Sequence, residues 1–213
     1  MRCDDEIARR GVAADDSWAL TASGKKVIFL DPDPDAIKLD DIAKQLSMIC
    51  RFTGAPSQFY SVAQHSVFVG AVVKKTLDDE GVDWGVEYWD QILAALLHDA
   101  EEYILNDLSS PLKGVIKGDY EIIAENLRHV IFEKFDIDWA YLNQTVKDAD
   151  NIAVLVERYY LMPYHPEWPK IETCDMEYPC PEAITSERAE YQYAETVRQA
   201  IKMRDALKAE QEE

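Results

Sequence analysis

From about Asp40 onward the apolar residues recur at three- and four-residue intervals, and this regularity directs the chain towards a helical architecture. Ile42, Leu46 and Ile49 share one face, with Met48 at its edge, and predict a first helix over Ile37–Cys50. Ser61 is placed to cap a second helix that carries Val62, Val69 and Val73 and ends near Gly81. A third, from about Glu87 to Ile104, contains the longest apolar run, Ile92–Leu97, and is expected to be central and buried. Two more are read over about Asp119–Phe135 and Leu142–Met162, with Asn106–Gly118 before them as a loop containing Pro111 and Gly114. The segment from Ser186 is helical by composition and polar on much of its surface, and its end, Lys208–Glu213, is expected to fray.

Strand signals are confined to the N-terminal side. Trp18–Thr21 and Lys26–Leu30 flank a Gly24-containing turn and read as a small hairpin, and Asp31-Pro32-Asp33-Pro34-Asp35 then breaks regular structure. Residues 1–17 read as a flexible tail and Pro163–Pro181 as an irregular stretch. The predicted fold is all-α, a helical bundle with a small N-terminal β-hairpin. It forms one domain over 18–213, with its core at about 39–162 and a C-terminal helical extension at about 184–213.

Composition narrows the partners. A length of 213 residues, 47% of them hydrophobic and 30% charged, is ordinary for a folded domain. A formal charge of −19 repels a phosphate backbone, so polymeric nucleic acid is excluded as a partner. A small anion remains open to it, because a bound divalent cation reverses the local potential. Cys3, Cys50, Cys174 and Cys180 have neither zinc-ribbon spacing nor scaffold density and read as free thiols, with Cys174 and Cys180 close enough in sequence to pair. The first ten residues lack the apolar stretch of a signal peptide and Ile92–Leu97 is too short to span a bilayer, so a cytoplasmic protein without a membrane partner is expected.

Where the apolar block ends, the sequence turns abruptly from Leu93-Ala94-Ala95-Leu96-Leu97 to His98-Asp99. An unpartnered carboxylate there is expensive to bury. A capped or hydrogen-bonded pair at a helix end answers that cost, and so does a divalent cation. His65 on the preceding helix and Asp150 on a later one, each weak alone, bring the set to two imidazoles and two carboxylates from three helices. Such a nitrogen and oxygen set suits Mn, Co, Fe or Zn better than calcium.

The order His65, His98-Asp99, Asp150 falls within the segments FYSVAQHS (59–66), LLHDAEEYILNDLSSPLK (96–113) and VKDADN (146–151). It resembles the metal-binding signature of the HD-domain phosphohydrolases, in the branch containing YfbR-like 5′-deoxynucleotidases and DatZ-like phage dATP triphosphohydrolases. The resemblance covers about Leu39 to Met162. It implies an HD-type bundle, a divalent ion (Mn, Co or Zn, with Mg possible) held by His65, His98, Asp99 and Asp150, and a small-molecule nucleotide substrate in a homo-oligomer. It also implies catalytic roles for Glu102 and Asp107. Glu102, four positions after His98, is expected on the same helical face, and Asp107 in the loop after it. Arg51, Phe52 and Lys113 match substrate-contacting positions, Phe52 replacing the Trp of some relatives and Gln64 an acidic residue of others.

The remaining candidates receive plainer readings. Glu101 is left to solvent, Glu157 to an internal ion pair, and His129 and His165 to structural or exposed positions. Trp84, Trp89, Trp139 and Trp168 are read as packing residues. The expected activity is hydrolysis of a deoxynucleotide phosphoester or phosphoanhydride by metal-activated water, releasing phosphate from a dNMP or triphosphate from a dNTP. The alternatives are a non-catalytic nucleotide sensor and an HD-type di-iron oxygenase, the latter needing further histidine ligands.

Overall fold

The computed structural model of the protein describes residues 17–168 and 178–211. It is an all-α bundle with one small hairpin. Strands β1 (Trp18–Leu20) and β2 (Lys26–Ile28) pair antiparallel with Ala19 opposite Val27, and Gly24 supplies the left-handed turn residue. The backbone amide and hydroxyl of Ser23 each donate to the Asp41 carboxylate at 2.7 Å, tying the hairpin to the first helix. A 3-10 turn over Pro34–Ala36, capped by Asp33, intervenes, so α1 spans Leu39–Met48 and not the predicted Ile37–Cys50.

Helix α2 (Val62–Asp79) begins at the expected cap. The Ser61 hydroxyl accepts the Gln64 amide at 3.2 Å while the Gln64 side chain accepts the Ser61 amide at 3.2 Å, satisfying two otherwise orphaned donors. Helix α3 (Val86–Leu96) carries the apolar run, and α4 (Glu102–Leu105) follows as a single turn. The predicted continuous helix to Ile104 is therefore interrupted. His98 Nδ1 donates to the Ala95 carbonyl at 2.7 Å, and 97–101 proceeds by tight turns with Ala100 bonded to Leu97 and Glu102 to Asp99. A polar side chain that captures a carbonyl of the last turn competes with helix propagation and ends it here.

The predicted loop 106–118 contains a further short helix, α5 (Ser110–Val115), with Pro111 in its first turn, where its missing N–H has no helical partner to lose. Then come α6 (Asp119–Lys134), a 3-10 turn over Trp139–Tyr141, α7 (Gln144–Leu161) and the long α8 (Ser186–Gln211).

Helix α8 is more than a polar extension. It packs along α1, α2 and α3 and buries Ala189, Tyr193, Ala194, Val197 and Ala200. Each large apolar side chain withdrawn from water stabilises by about 1.5–3 kcal/mol, so this face holds the helix. Its Arg204 is buried, 3.2 Å from Asp90 of α3 and donating at 2.9 Å to the carbonyls of both Phe135 and Asp136. Helix α2 also packs against α3 and α7. At Gly70 of α2 an added Cβ would lie 2.7 Å from the buried Leu96 side chain, so the close approach of α2 to α3 requires glycine there.

One reading is overturned outright. Glu101 is wholly buried, its carboxylate gripped by Nε of Arg128 at 3.0 Å and by the adjacent guanidinium nitrogen. The turn at 97–101 directs this side chain towards α6, where Arg128 pairs with it. Residues 1–16 of the predicted tail, 169–177 of the 163–181 stretch, Cys3 and the Cys174 half of the considered pair lie outside the described residues; Cys50 is half-buried and Cys180 exposed, both free thiols. No described helix is long and apolar enough to cross a membrane.

Candidate metal centre

The core supplies the first two ligand candidates. His65 lies one turn into α2 and is fully buried, and His98 follows the end of α3 and is 6% exposed. Each ring has its Nδ1 engaged: His65 Nδ1 is 2.7 Å from Glu157 Oε1, and His98 Nδ1 is 2.7 Å from the Ala95 carbonyl oxygen. Both acceptors require a proton on Nδ1, so Nε2 is the nitrogen each ring would offer to a cation, in place of the proton that the carboxylates around His65 otherwise favour there. Both Nε2 atoms are buried without a hydrogen-bond partner, an arrangement that is costly unless something else occupies those lone pairs.

The two carboxylates complete the convergence. Asp99 Oδ2 is 3.2 Å from His98 Nε2 and 3.7 Å from His65 Nε2. Asp150 Oδ1, presented by the second turn of α7, is 3.1 Å from His65 Nε2 and 4.0 Å from His98 Nε2. One ligand atom each from His65, His98 and Asp99 fall within 4.8 Å of one another. His65, His98 and Asp99 have the spacing of a group that could hold a metal ion, with Asp150 beside both imidazoles, and the His65–Glu157 contact is of the carboxylate–imidazole kind that supports metal-ligating histidines.

The charges around the centre are interlocked. Burial and the nearby Arg51 cation oppose a charged His65, but Glu157 and Asp150 outweigh both and raise its pKa to about 9. Burial opposes ionisation of Asp99, yet His98 and His65 hold its carboxyl well below the usual carboxylate range. Glu157 is likewise buried and held low by His65 and Arg51, whose Nε is 3.1 Å from Glu157 Oε2 and whose terminal nitrogen is 3.9 Å from Asp99.

A cleft of about 390 Å³ opens above the ligands. Its walls include Arg51, Phe52, Glu102, Asp107 and Lys113, so every residue predicted for catalysis or substrate contact borders it together with Asp99 and Asp150. Glu102 has one oxygen 2.8 Å from Lys113 Nζ and the other buried without a partner; burial and the Asp99 charge push its carboxyl well above the usual range, with Lys113 opposing. Its position does not come from a shared helical face with His98, because the chain turns between them. Phe52 and Thr53 at the rim both have left-handed backbone, with φ of 51° and 53°, strain of a kind that collects at functional sites.

Relatives share much of this chain. It is 37% identical over 142 residues to the uncharacterized protein YfdR of Escherichia coli K12, the match covering 67% of this chain and 71% of that protein. The chain belongs to the YfdR family. An uncharacterized protein of Rhodobacter capsulatus is 32% identical over 146 residues, covering 66% of this chain and 71% of its own. No family model matches the chain.

In this YfdR-family chain the structure adds residues that the sequence patterns did not assign to the site. Glu157, read as an internal ion-pair residue, is one, and its acidic side chain seven positions after Asp150 on α7 was the available signal. Its partners, 92 and 106 residues away, were not readable. Arg158 and Trp168 also border the cleft, so Trp168 is more than a packing residue. His129 is exposed and stacked on Trp139 at 3.6 Å, and His165 is exposed, in keeping with their plainer readings.

Proposed function

We propose that this protein is a divalent-metal-dependent phosphohydrolase of the HD type acting on deoxynucleotides. The observation that carries this reading is the pair of buried imidazoles, each with Nδ1 locked and Nε2 unpartnered, converging with Asp99 and Asp150 at the floor of a cleft bordered by Arg51, Lys113 and Arg158. Carboxylates outnumber cations around the floor, which suits a resident divalent ion, while the cationic wall suits an anionic substrate.

His65, His98, Asp99 and Asp150 would hold the ion, which when bound acidifies water and withdraws charge from a phosphoryl oxygen. The chain's own groups do the rest. Asp107 on the cleft wall accepts a proton, Glu102 delivers or holds one at its unpartnered oxygen, and Arg51 and Lys113 lie where they can steady phosphate oxygens. Phe52 at the rim offers an apolar face to sugar or base. No further histidine joins the cluster among the described residues, so the di-iron reading gains no support.

The test is a panel of dNMPs and dNTPs against Mn, Co, Zn and Mg, with the released species identified. Orthophosphate from a dNMP marks a 5′-nucleotidase, and intact triphosphate from a dNTP marks a triphosphohydrolase. Asp99→Asn should reduce turnover by more than the roughly 10–100-fold that loss of an outer partner of a metal ligand produces. Nucleotide binding without turnover under every ion would replace the enzyme with a sensor.

A further inference from the structure

The cations that border the cleft are not equally available. Arg51 is held by Glu157 at 3.1 Å and lies 3.9 Å from Asp99, and Lys113 is held by Glu102 at 2.8 Å. A phosphate that engages either group must share it with a carboxylate already in place. Arg158 differs. No carboxylate among the described residues pairs with it, and its Nε is buried without a hydrogen-bond partner. Its guanidinium carbon instead lies 4.1 Å from the centre of the Trp168 ring.

That stacking has a chemical consequence. A guanidinium lying on an aromatic face keeps its N–H donors in its own plane, free for a bidentate acceptor, while the ring limits its rotation. Arg158 stands in the last turn of α7, where the helix dipole favours a cation. A role confined to the dipole requires neither the stack on Trp168 nor a place on the cleft wall, and Arg158 has both. It also shares α7 with Asp150, eight residues earlier and about 12 Å along the axis, so one rigid element presents a metal ligand and this cation to the same cavity.

We propose that Arg158, braced on the face of Trp168, is a phosphate-recognition residue of this cleft, taking two nonbridging oxygens of a nucleotide phosphate through its in-plane donors. The proposal rests on the nucleotide reading of the site, and adds a cation whose engagement breaks no ion pair among the described residues. Trp168 acts as a positioning residue.

The test compares deoxynucleoside monophosphates with their matching nucleosides by calorimetry, with the protein as purified and again in EDTA, so that the contribution of the phosphate is read separately from that of any ion. Wild type is expected to prefer the monophosphate, and Arg158→Gln to reduce that preference tenfold or more. Arg158→Lys should recover part of it, because a point charge lacks the fork, and Trp168→Phe should recover more than Trp168→Leu. In the metal-loaded protein the same variants should raise KM for the nucleotide with a smaller change in kcat. Far-UV circular dichroism checks that each variant folds, and the Lys and Phe variants keep the comparison available if Gln or Leu destabilises. Retention of the full monophosphate preference in Arg158→Gln overturns the proposal even if hydrolysis is observed. Arg158-dependent phosphate binding with no hydrolysis under any ion leaves the proposal standing and sinks the enzyme reading. A wild type indifferent to the phosphate removes both.

Discussion

A histidine can offer only one ring nitrogen to a cation, and which one it offers depends on where the proton of the other is held. For His65 that proton is directed at Glu157, a buried carboxylate that also accepts from Arg51, so a single side chain on α7 fixes the tautomer of a residue on α2. For His98 the same service comes from the backbone carbonyl of Ala95, which no substitution of a side chain can remove. The two rings therefore differ in how they can be perturbed. Glu157→Gln is expected to weaken metal binding by about 10–100-fold, read by titration of Mn or Co into the metal-stripped protein. An unchanged affinity would show that Glu157 does not set the orientation of His65. The acidic character of Glu157 was visible in the sequence, but its partners depend on three-dimensional contacts across 92 and 106 residues.

Among the elements, the junction between α3 and α4 matters most. The turn at 97–101 holds Glu101 buried, and its pairing with Arg128 is the link to α6. Arg128→Met leaves a buried carboxylate uncompensated and should destabilise by about 3 kcal/mol, measured by urea unfolding. A loss below about 1 kcal/mol, the scale of a surface pair, would mean that water replaces the guanidinium. The α2–α3 contact is set at Gly70. Alanine there gains about 0.5–1 kcal/mol of helix propensity but meets the buried Leu96 side chain, with overpacking worth about 1–3 kcal/mol, so a net destabilisation is expected in the same assay. A stabilised variant would show that the two helices can separate slightly without loss. Periodicity revealed these helices and their apolar faces, and the Ser61 cap was legible as a local signal; the break after Leu97 was not, because it depends on one side chain taking a carbonyl from the ladder.

The molecule as a whole carries a net charge of −19, and its candidate centre gathers Asp99, Asp150 and Glu157 around two imidazoles with Arg51 as a counterweight. Because α2, the α3–α4 turn and α7 each contribute a ligand candidate, an ion held there links three separate elements of the bundle. A ligand that binds the folded state alone stabilises it by about 2.7 kcal/mol at a hundredfold excess over its dissociation constant. Thermal unfolding should therefore rise with Mn or Co and fall in EDTA, and the rise should vanish in Asp150→Asn. A melting temperature indifferent to every ion would argue that the four side chains are a structural network and nothing more.

Taken alone, the sequence determined the helical class, the hairpin, most helix positions and the four ligand candidates, because period, caps and abrupt changes of polarity are local properties. The tertiary structure decided what those residues can do. It oriented the rings through Glu157 and Ala95, turned Glu101 inward, made the polar-looking α8 a packing element and set Arg158 against Trp168 at the cleft. The physical reason is that hydrogen bonds and ion pairs of this kind form between side chains far apart in the chain, and their geometry exists only once the helices have packed.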